Sequence, residues 1–115
     1  MNGLEGRVSG AGGEHIAEEY LKGKGAQVLG KNFKAAGAEI DLIVKMDERI
    51  VFVEVKARYG SRKGTPGEAI TPAKAGRIRR AATLWLKMNG GTAQRVRFDA
   101  VLINEEGIKH IPGAF

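Results

Sequence analysis

The sequence predicts an α/β fold in which helices flank a mixed central β-sheet. Two segments, at 13–23 and 72–88, carry apolar residues at helical spacing. Five shorter segments, rich in β-branched residues and bounded by turn-forming ones, have the pattern of strands. The predicted order is α-β-β-β-α-β-β, which is typical of a sheet with helices packed on it.

The first predicted elements are an arm and a helix. Residues 1–12 (MNGLEGRVSGAG) are rich in glycine and show no period, so we predict a flexible arm there. Helical spacing begins at Gly13, and Gly23 and Gly25 supply the stop. The apolar side of this helix consists of Ile16, Ala17, Tyr20 and Leu21.

Three strands are predicted next, at 26–33, 39–45 and 50–56. Their connections are short, which favours antiparallel neighbours. After a Gly/Pro-containing loop, Thr71-Pro72 offers a helix N-cap followed by proline at the first helical position. The second helix should run to about Met88, with Ile78, Ala81, Ala82 and Trp85 as its apolar stripe. The last two strands are predicted at 95–103 and 108–111.

Composition limits the possible classes of protein. A length of 115 residues suits a single domain. The 19 Lys and Arg against 13 Asp and Glu give a formal net charge of +6, which favours polyanions and makes nucleic acid the first partner to test. With no cysteine, disulfides, zinc thiolates and a cysteine nucleophile are excluded. No apolar run has the length of a membrane span, so we expect a cytoplasmic protein without a membrane partner.

The two strands at 39–45 and 50–56 lead to a site. A four-residue loop at 46–49 pairs Lys45 with Ile50, and this register places Asp41 opposite Glu54 and Glu39 opposite Lys56. Strand alternation then predicts one polar face and one apolar face. The polar face would hold Glu39, Asp41, Glu54 and Lys56, and the apolar face would hold Ile40, Leu42, Val44, Val51, Val53 and Val55.

Opposed carboxylates on such a face repel each other by roughly 3 kcal/mol at an effective dielectric constant of about 20. A divalent cation held by Asp41 and Glu54 would turn this repulsion into binding. Oxygen ligands favour a hard ion, Mg²⁺ or Mn²⁺. Lys56 would then lie beside the ion, where its ammonium could orient water or stabilise charge on a phosphate. The alternative is a solvated strand face in which Lys56 pairs with Glu39.

These residues also carry a resemblance. Asp41, twelve intervening residues and then Glu54-Val55-Lys56 resemble the D…(D/E)-x-K signature of restriction-endonuclease-like nucleases. A wider pattern resembles the YraN-like family of uncharacterised, endonuclease-like bacterial proteins from Gly13 to Phe115. That pattern comprises Gly13-Glu14, Ala17, Tyr20-Leu21, Asn32, Glu39 to Ile43, Val51 to Lys56 with Arg58, Pro66, Glu68-Ala69, Lys74, Arg77, Arg97 to Asp99, His110-Ile111 and Ala114-Phe115.

The resemblance implies a restriction-endonuclease-like core related to archaeal Holliday-junction resolvases. It also implies that Glu14 of the first helix joins Asp41 and Glu54 near the metal as an accessory ligand. Resolvases need two active sites, so the analogy suggests a possible homodimer. Without the resemblance, Glu14 is an ordinary acidic residue in the first turn of a helix.

A run of basic residues follows the predicted site. Candidates for phosphate contacts are Arg58, Arg62, Lys63, Lys74, Arg77 and Arg80. The alternative is a solvated helix face that keeps the protein soluble. Among the remaining residues, Asp99 fits a buried structural acid, and His15 and His110 fit structural or surface positions. Glu68 fits a surface ion pair, with a further acidic member of the site as the alternative.

The leading hypothesis is an endonuclease-like protein that uses Mg²⁺ or Mn²⁺ to hydrolyse phosphodiester bonds in nucleic acid. DNA is favoured over RNA as its substrate, and structured or branched DNA in particular. Asp41, Glu54 and Glu14 would be its metal ligands and Lys56 its catalytic cation. The alternative is a nucleic-acid-binding module that keeps the nuclease fold without cleaving. A protein-interaction domain would leave the basic residues from 56 to 80 unexplained.

Overall fold

A computed structural model describes residues 11–59, 70–91 and 95–115 of the chain. Its elements are α1 (Ala11–Gly23), β1 (Gln27–Ala35), β2 (Ala38–Met46), β3 (Arg49–Ala57), α2 (Pro72–Met88), β4 (Val96–Asn104) and β5 (Gly107–Ile111). The α/β class and the order α-β-β-β-α-β-β are therefore confirmed. Helix α1 begins two residues before the predicted start. Residues 1–10 of the predicted arm, and also Arg62, Lys63 and Glu68, lie outside the described residues.

The five strands form one mixed sheet in the order β1-β2-β3-β4-β5. Neighbours joined by short turns are antiparallel, as predicted, and β3 and β4 are parallel because α2 carries the chain back across the sheet. The predicted register of the central hairpin is confirmed from the turn as far as the pair of Leu42 with Val53. The predicted pairs of Asp41 with Glu54 and of Glu39 with Lys56 do not form, because the pairing of β2 with β3 ends before them.

Each face of the sheet packs against one helix. On the α1 face the buried cluster contains Ala17, Leu21, Leu42, Val44, Val51, Val53, Val101 and Ile103. On the α2 face it contains Ile40, Ile43, Ile50, Phe52, Ile78, Ala81, Ala82, Leu86 and Phe98. Burial on both faces explains why β3 reads as an almost continuous apolar run.

The predicted face of Ile40 is wrong. Leu42 and Val44 pack toward α1, but Ile40 packs with Ile43 and Phe52 toward α2. Regular alternation would put Ile40 and Leu42 on the same face, so β2 changes its facing around Asp41. The single polar face predicted for Glu39, Asp41, Glu54 and Lys56 therefore does not form, because Asp41 lies where the alternation is interrupted.

Helix α2 begins as the sequence predicts. Thr71 is its N-cap and accepts a hydrogen bond from the Lys74 backbone N–H at 3.1 Å, with Pro72 in the first turn. Its buried residues are Ile78, Ala81, Ala82 and Leu86, and the partly buried Trp85 packs edge-on against Phe52. Neither of the described helices is long and apolar enough to cross a membrane.

Candidate functional site

The candidate site lies where the sheet splits. Pairing of β2 with β3 ends at Leu42 and Val53. Beyond that point β2 stays paired with β1 as far as Ala38, and β3 stays paired with β4 as far as Ala57. The backbone N–H of Val55, just past the split, donates instead to Asp41 Oδ2 at 2.7 Å. Strand N–H groups point along the plane of the sheet, so the Asp41 carboxylate fills the gap between the two strands.

Two further carboxylates meet Asp41 in this gap. One carboxylate oxygen each of Glu14, Glu39 and Asp41 lies within 4.8 Å of the other two. The Asn32 side-chain amide donates to Glu14 Oε1 at 2.8 Å and to Glu39 Oε2 at 3.1 Å. Asn32 has a φ of 49° inside β1, a left-handed conformation that asparagine tolerates better than most residues. Asn32 thus holds two of the three carboxylates in place.

Burial, and then the neighbouring carboxylates, raise the pKa of Asp41. Burial raises this pKa, the hydrogen bond from Val55 lowers it, and the charges of Glu54 and Glu14 raise it again, together with a hydrogen bond shared with Glu14. The result is a pKa of about 7, against an ordinary value of 3.8. Asp41 is thus a carboxyl group whose charged form is disfavoured by burial and by the nearby carboxylates.

We expect this raised pKa to make the stability of the metal-free protein depend on pH. Because the folded chain binds more protons than the unfolded chain between pH 3.8 and about 7, the Asp41 contribution to the free energy of unfolding falls as the pH rises through that window. Asp41→Asn should remove this part of the pH dependence. Urea unfolding in EDTA at several pH values measures it, and identical pH profiles for the two proteins would contradict the assignment.

Glu54 lies beside the gap on the α2 side of the sheet. Its side chain is buried, with 7% of the residue exposed, and its Oε2 accepts a hydrogen bond from Lys74 Nζ at 2.8 Å. Lys74 reaches this position from the first turn of α2, which is capped by Thr71. By alternation along β3, Lys56 follows Glu54 on the same face. Among the described residues, no carboxylate forms an ion pair with the Lys56 ammonium.

The residues in the gap fit a hard divalent cation. All of the clustered donors are carboxylate oxygens, the ligand type that Mg²⁺ and Mn²⁺ prefer. Octahedral Mg²⁺, with bonds of about 2.1 Å, needs ligand oxygens about 3 to 4 Å apart. The three carboxylate oxygens, all within 4.8 Å of one another, lie near this spacing.

The structure brings together most of the predicted site residues. Glu14 and Asp41 meet directly, while Glu54 is close enough to raise the pKa of Asp41 but is bonded to Lys74. Sequence reasoning left the role of Glu39 open and did not predict its contact with Glu14. Regular alternation placed Glu39 opposite Lys56, and only the change of facing at Asp41 turns it toward α1.

The candidate phosphate-binding residues divide into three groups. Lys74, Arg77 and Arg80 lie on α2, where Arg77 and Arg80 are exposed and the Arg77 stem approaches Gly37 of the β1–β2 turn. Arg58 is exposed just after β3 and donates to the Ala57 carbonyl at 3.0 Å. Arg62 and Lys63 lie outside the described residues. A basic stripe on α2 therefore begins at the candidate site and follows the helix.

A second polar cluster, around Asp99, joins β4 to β5 and to the residues after β5. Asp99 is fully buried and accepts two hydrogen bonds from the Arg97 guanidinium, at 2.8 and 2.9 Å. His110 Nε2 lies 2.7 Å from Asp99 Oδ2, and the Gly113 backbone N–H donates to Asp99 Oδ1 at 3.0 Å. Burial alone would raise the pKa of Asp99, but these bonds outweigh burial and hold it below its ordinary value. Asp99 is thus the buried structural acid that the sequence indicated.

Comparison with known proteins gives a consistent family. Residues 13–103 match the model of the uncharacterised protein family UPF0102. A UPF0102 protein of Syntrophomonas wolfei is 42% identical over 113 residues, covering 95% of this chain and 98% of that protein. One from Symbiobacterium thermophilum is 45% identical over 95 residues, covering 83% of this chain and 80% of the relative. The resemblance to the YraN-like family is confirmed, and the chain belongs to the UPF0102 family.

Proposed function

We propose that this protein is a metal-dependent endonuclease that hydrolyses phosphodiester bonds in nucleic acid, with structured DNA as its preferred substrate class. The observation that carries the proposal is the gap at Asp41, where Glu14, Glu39 and Asp41 converge within 4.8 Å beside the buried Glu54. Unlike a solvated acidic surface, this cluster includes a carboxyl group whose pKa is raised to about 7. A divalent cation supplies the missing positive charge.

Each side chain has a distinct part in the proposed reaction. Asp41, Glu14 and Glu54 are the proposed ligands of Mg²⁺ or Mn²⁺, and Glu39 is added to them by its position in the cluster. When bound, the ion supplies Lewis-acid activation of a phosphate oxygen or of a water. Lys56 follows Glu54 on the same face of β3, so its ammonium can orient the attacking water and offset charge on the phosphate. The Val55 N–H fixes the Asp41 carboxylate for this purpose.

The basic stripe on α2 favours nucleic acid over a small phosphate ester as substrate. Lys74 contacts the site itself, and Arg77 and Arg80 continue away from it along the exposed side of the helix. A single phosphate would need only the first of these cations, whereas a backbone carries a charge at every nucleotide. The net charge of +6 supports the same class of partner.

A cleavage assay tests the proposal. Linear duplex, nicked duplex, four-way-junction DNA and RNA are incubated with the purified protein in Mg²⁺, Mn²⁺, Ca²⁺ or EDTA. We expect cleavage in Mn²⁺ and Mg²⁺, none in EDTA, and the highest rate on the junction. Salt-sensitive binding without cleavage of any substrate would instead favour the non-catalytic binding module.

The stripe on α2 makes its own prediction. Replacing Arg77 and Arg80 together with alanine should weaken binding to all sequences about equally and reduce the slope of log affinity against log salt concentration by about 2. Fluorescence anisotropy with labelled DNA over a range of KCl concentrations measures this slope. The matched control is Lys22→Ala with Lys24→Ala, which removes the same charge from exposed positions at the end of α1, on the other face of the sheet. Equal losses in the two double variants would contradict a role specific to α2.

A further inference from the structure

We infer that the Lys74 ammonium changes its binding partner when the ligands bind. In the metal-free protein it is bound to Glu54, and when a divalent ion binds it moves to a phosphate of the nucleic acid. This inference rests on the proposed function and adds to it a coupling between ion and substrate. Its basis is the contact of 2.8 Å between Lys74 Nζ and Glu54 Oε2, placed beside the cluster of carboxylates.

The first step concerns the charge of Glu54. This carboxylate is 9% exposed at its side chain and is close enough to Asp41 to raise the pKa of that residue. A buried carboxylate needs a positive partner, and within the described part of the chain Lys74 is the cation that reaches it. The Lys74 ammonium therefore supplies the positive charge at Glu54 that a bound metal ion would otherwise supply.

The second step concerns what happens to the ammonium. A divalent ion that shares Glu54 with Asp41 would lie only a few ångströms from the Lys74 nitrogen, and the two positive charges repel each other. The backbone of Lys74 is fixed, because its N–H bonds to the Thr71 cap. Its side chain is 39% exposed and flexible, so the ammonium can swing toward solvent while the helix stays in place.

The third step concerns the new partner of the displaced Lys74 ammonium. Arg77, one turn further along α2, is exposed on the side that the proposed nucleic acid follows. A displaced Lys74 ammonium joins this stripe and gains a phosphate oxygen as its acceptor. The nucleic acid thus stabilises the displaced lysine, and the displaced lysine leaves Glu54 open to the ion. By thermodynamic linkage, each ligand then increases the affinity for the other by the same factor.

Equilibrium Mn²⁺ binding to the free protein tests this inference, with calorimetry as the readout. Lys74→Met removes the competing charge, so we expect Mn²⁺ to bind about tenfold more tightly. Lys74→Arg, which holds a carboxylate with two hydrogen bonds, should bind Mn²⁺ more weakly than the wild type. Lys87→Met, at the other end of α2, is the control and should leave Mn²⁺ affinity unchanged. A general loss of stability would not shift the Mn²⁺ affinity in opposite directions in the two Lys74 variants.

The coupling is measured with a phosphorothioate junction that resists cleavage. Bound junction DNA should increase the Mn²⁺ affinity of the wild type. In Lys74→Met the factor of this increase should be at least five times smaller. If Mn²⁺ binds equally to the wild type and Lys74→Met, the inference is overturned even where the wild type cleaves DNA. If the affinities shift as expected but no substrate is cleaved, the inference stands and the proposed hydrolysis fails.

Discussion

Asp41→Asn is expected to lower the rate of Mn²⁺-dependent cleavage by about three orders of magnitude while the metal-free protein folds normally. Asparagine is close to aspartate in size, and its side-chain oxygen can still accept the hydrogen bond that Val55 now donates to Asp41 at 2.7 Å. What it loses is the negative charge at the centre of the cluster. Initial cleavage rates and the melting temperature in EDTA, measured on the same preparations, separate these two effects.

The matched control for this change is Asp47→Asn in the β2–β3 turn. It makes the same chemical substitution at the opposite end of the same pair of strands, where the Asp47 side chain is 60% exposed. We expect Asp47→Asn to cleave at the wild-type rate. An Asp41→Asn protein that keeps its normal melting temperature and more than about a tenth of the wild-type rate would contradict the assigned site.

Asp99→Ala is expected to have the largest effect on stability, a loss of about 3–5 kcal/mol in the free energy of unfolding. The substitution leaves the mostly buried Arg97 guanidinium without the carboxylate that binds it through two hydrogen bonds. It also removes the acceptor near His110 Nε2 and the acceptor of the Gly113 N–H, both of which join the β5 end of the chain to β4. Urea unfolding at neutral pH measures the loss.

The same arginine provides the control for this prediction. Asp47 also pairs with Arg97, at 3.3 Å, but from an exposed position. Exposed ion pairs contribute about 1 kcal/mol or less, so Asp47→Asn should leave the free energy of unfolding within that range of the wild type. If Asp99→Ala lowers the free energy of unfolding by less than about 1 kcal/mol, the buried network does not stabilise the association of β5 with β4.

The elements that the sequence predicted well depend on local rules. The four-residue turn between β2 and β3 sets the pairing of Lys45 with Ile50, and no distant contact is needed to choose it. The start of α2 is equally local, because Thr71 and Pro72 satisfy the first turn from within the same segment. Boundaries and register at these positions therefore agree with the structure.

The candidate site was harder to predict because it depends on an irregularity. Alternation along β2 was assumed to continue through Asp41, and it placed Ile40 beside Leu42. The structure interrupts it there, since the strands part and the Asp41 carboxylate replaces a backbone acceptor for Val55. The change of facing at Asp41, which no local period encodes, places Glu39 near Glu14. The family resemblance, not the spacing, supplied Glu14.

The pairing of Lys74 with Glu54 shows the same limit. The sequence placed Lys74 in a basic run after β3 and indicated a phosphate contact. Twenty residues separate the two side chains, and only the crossing of α2 over the sheet brings them to 2.8 Å. Charge composition thus predicts a nucleic-acid partner, and this stays a prediction, whereas the contact of Lys74 with Glu54 could be found only from the fold.

Direct observation of bound metal tests the central claim most simply, because the proposed chemistry requires an ion in the gap at Asp41. Electron paramagnetic resonance of free Mn²⁺, titrated against the protein at neutral pH, counts the ions bound per chain. We expect saturable binding by the wild type and by Asp47→Asn, and its loss in Asp41→Asn. No binding by the wild type, or equal binding by Asp41→Asn, would contradict the metal centre and with it the proposed nuclease.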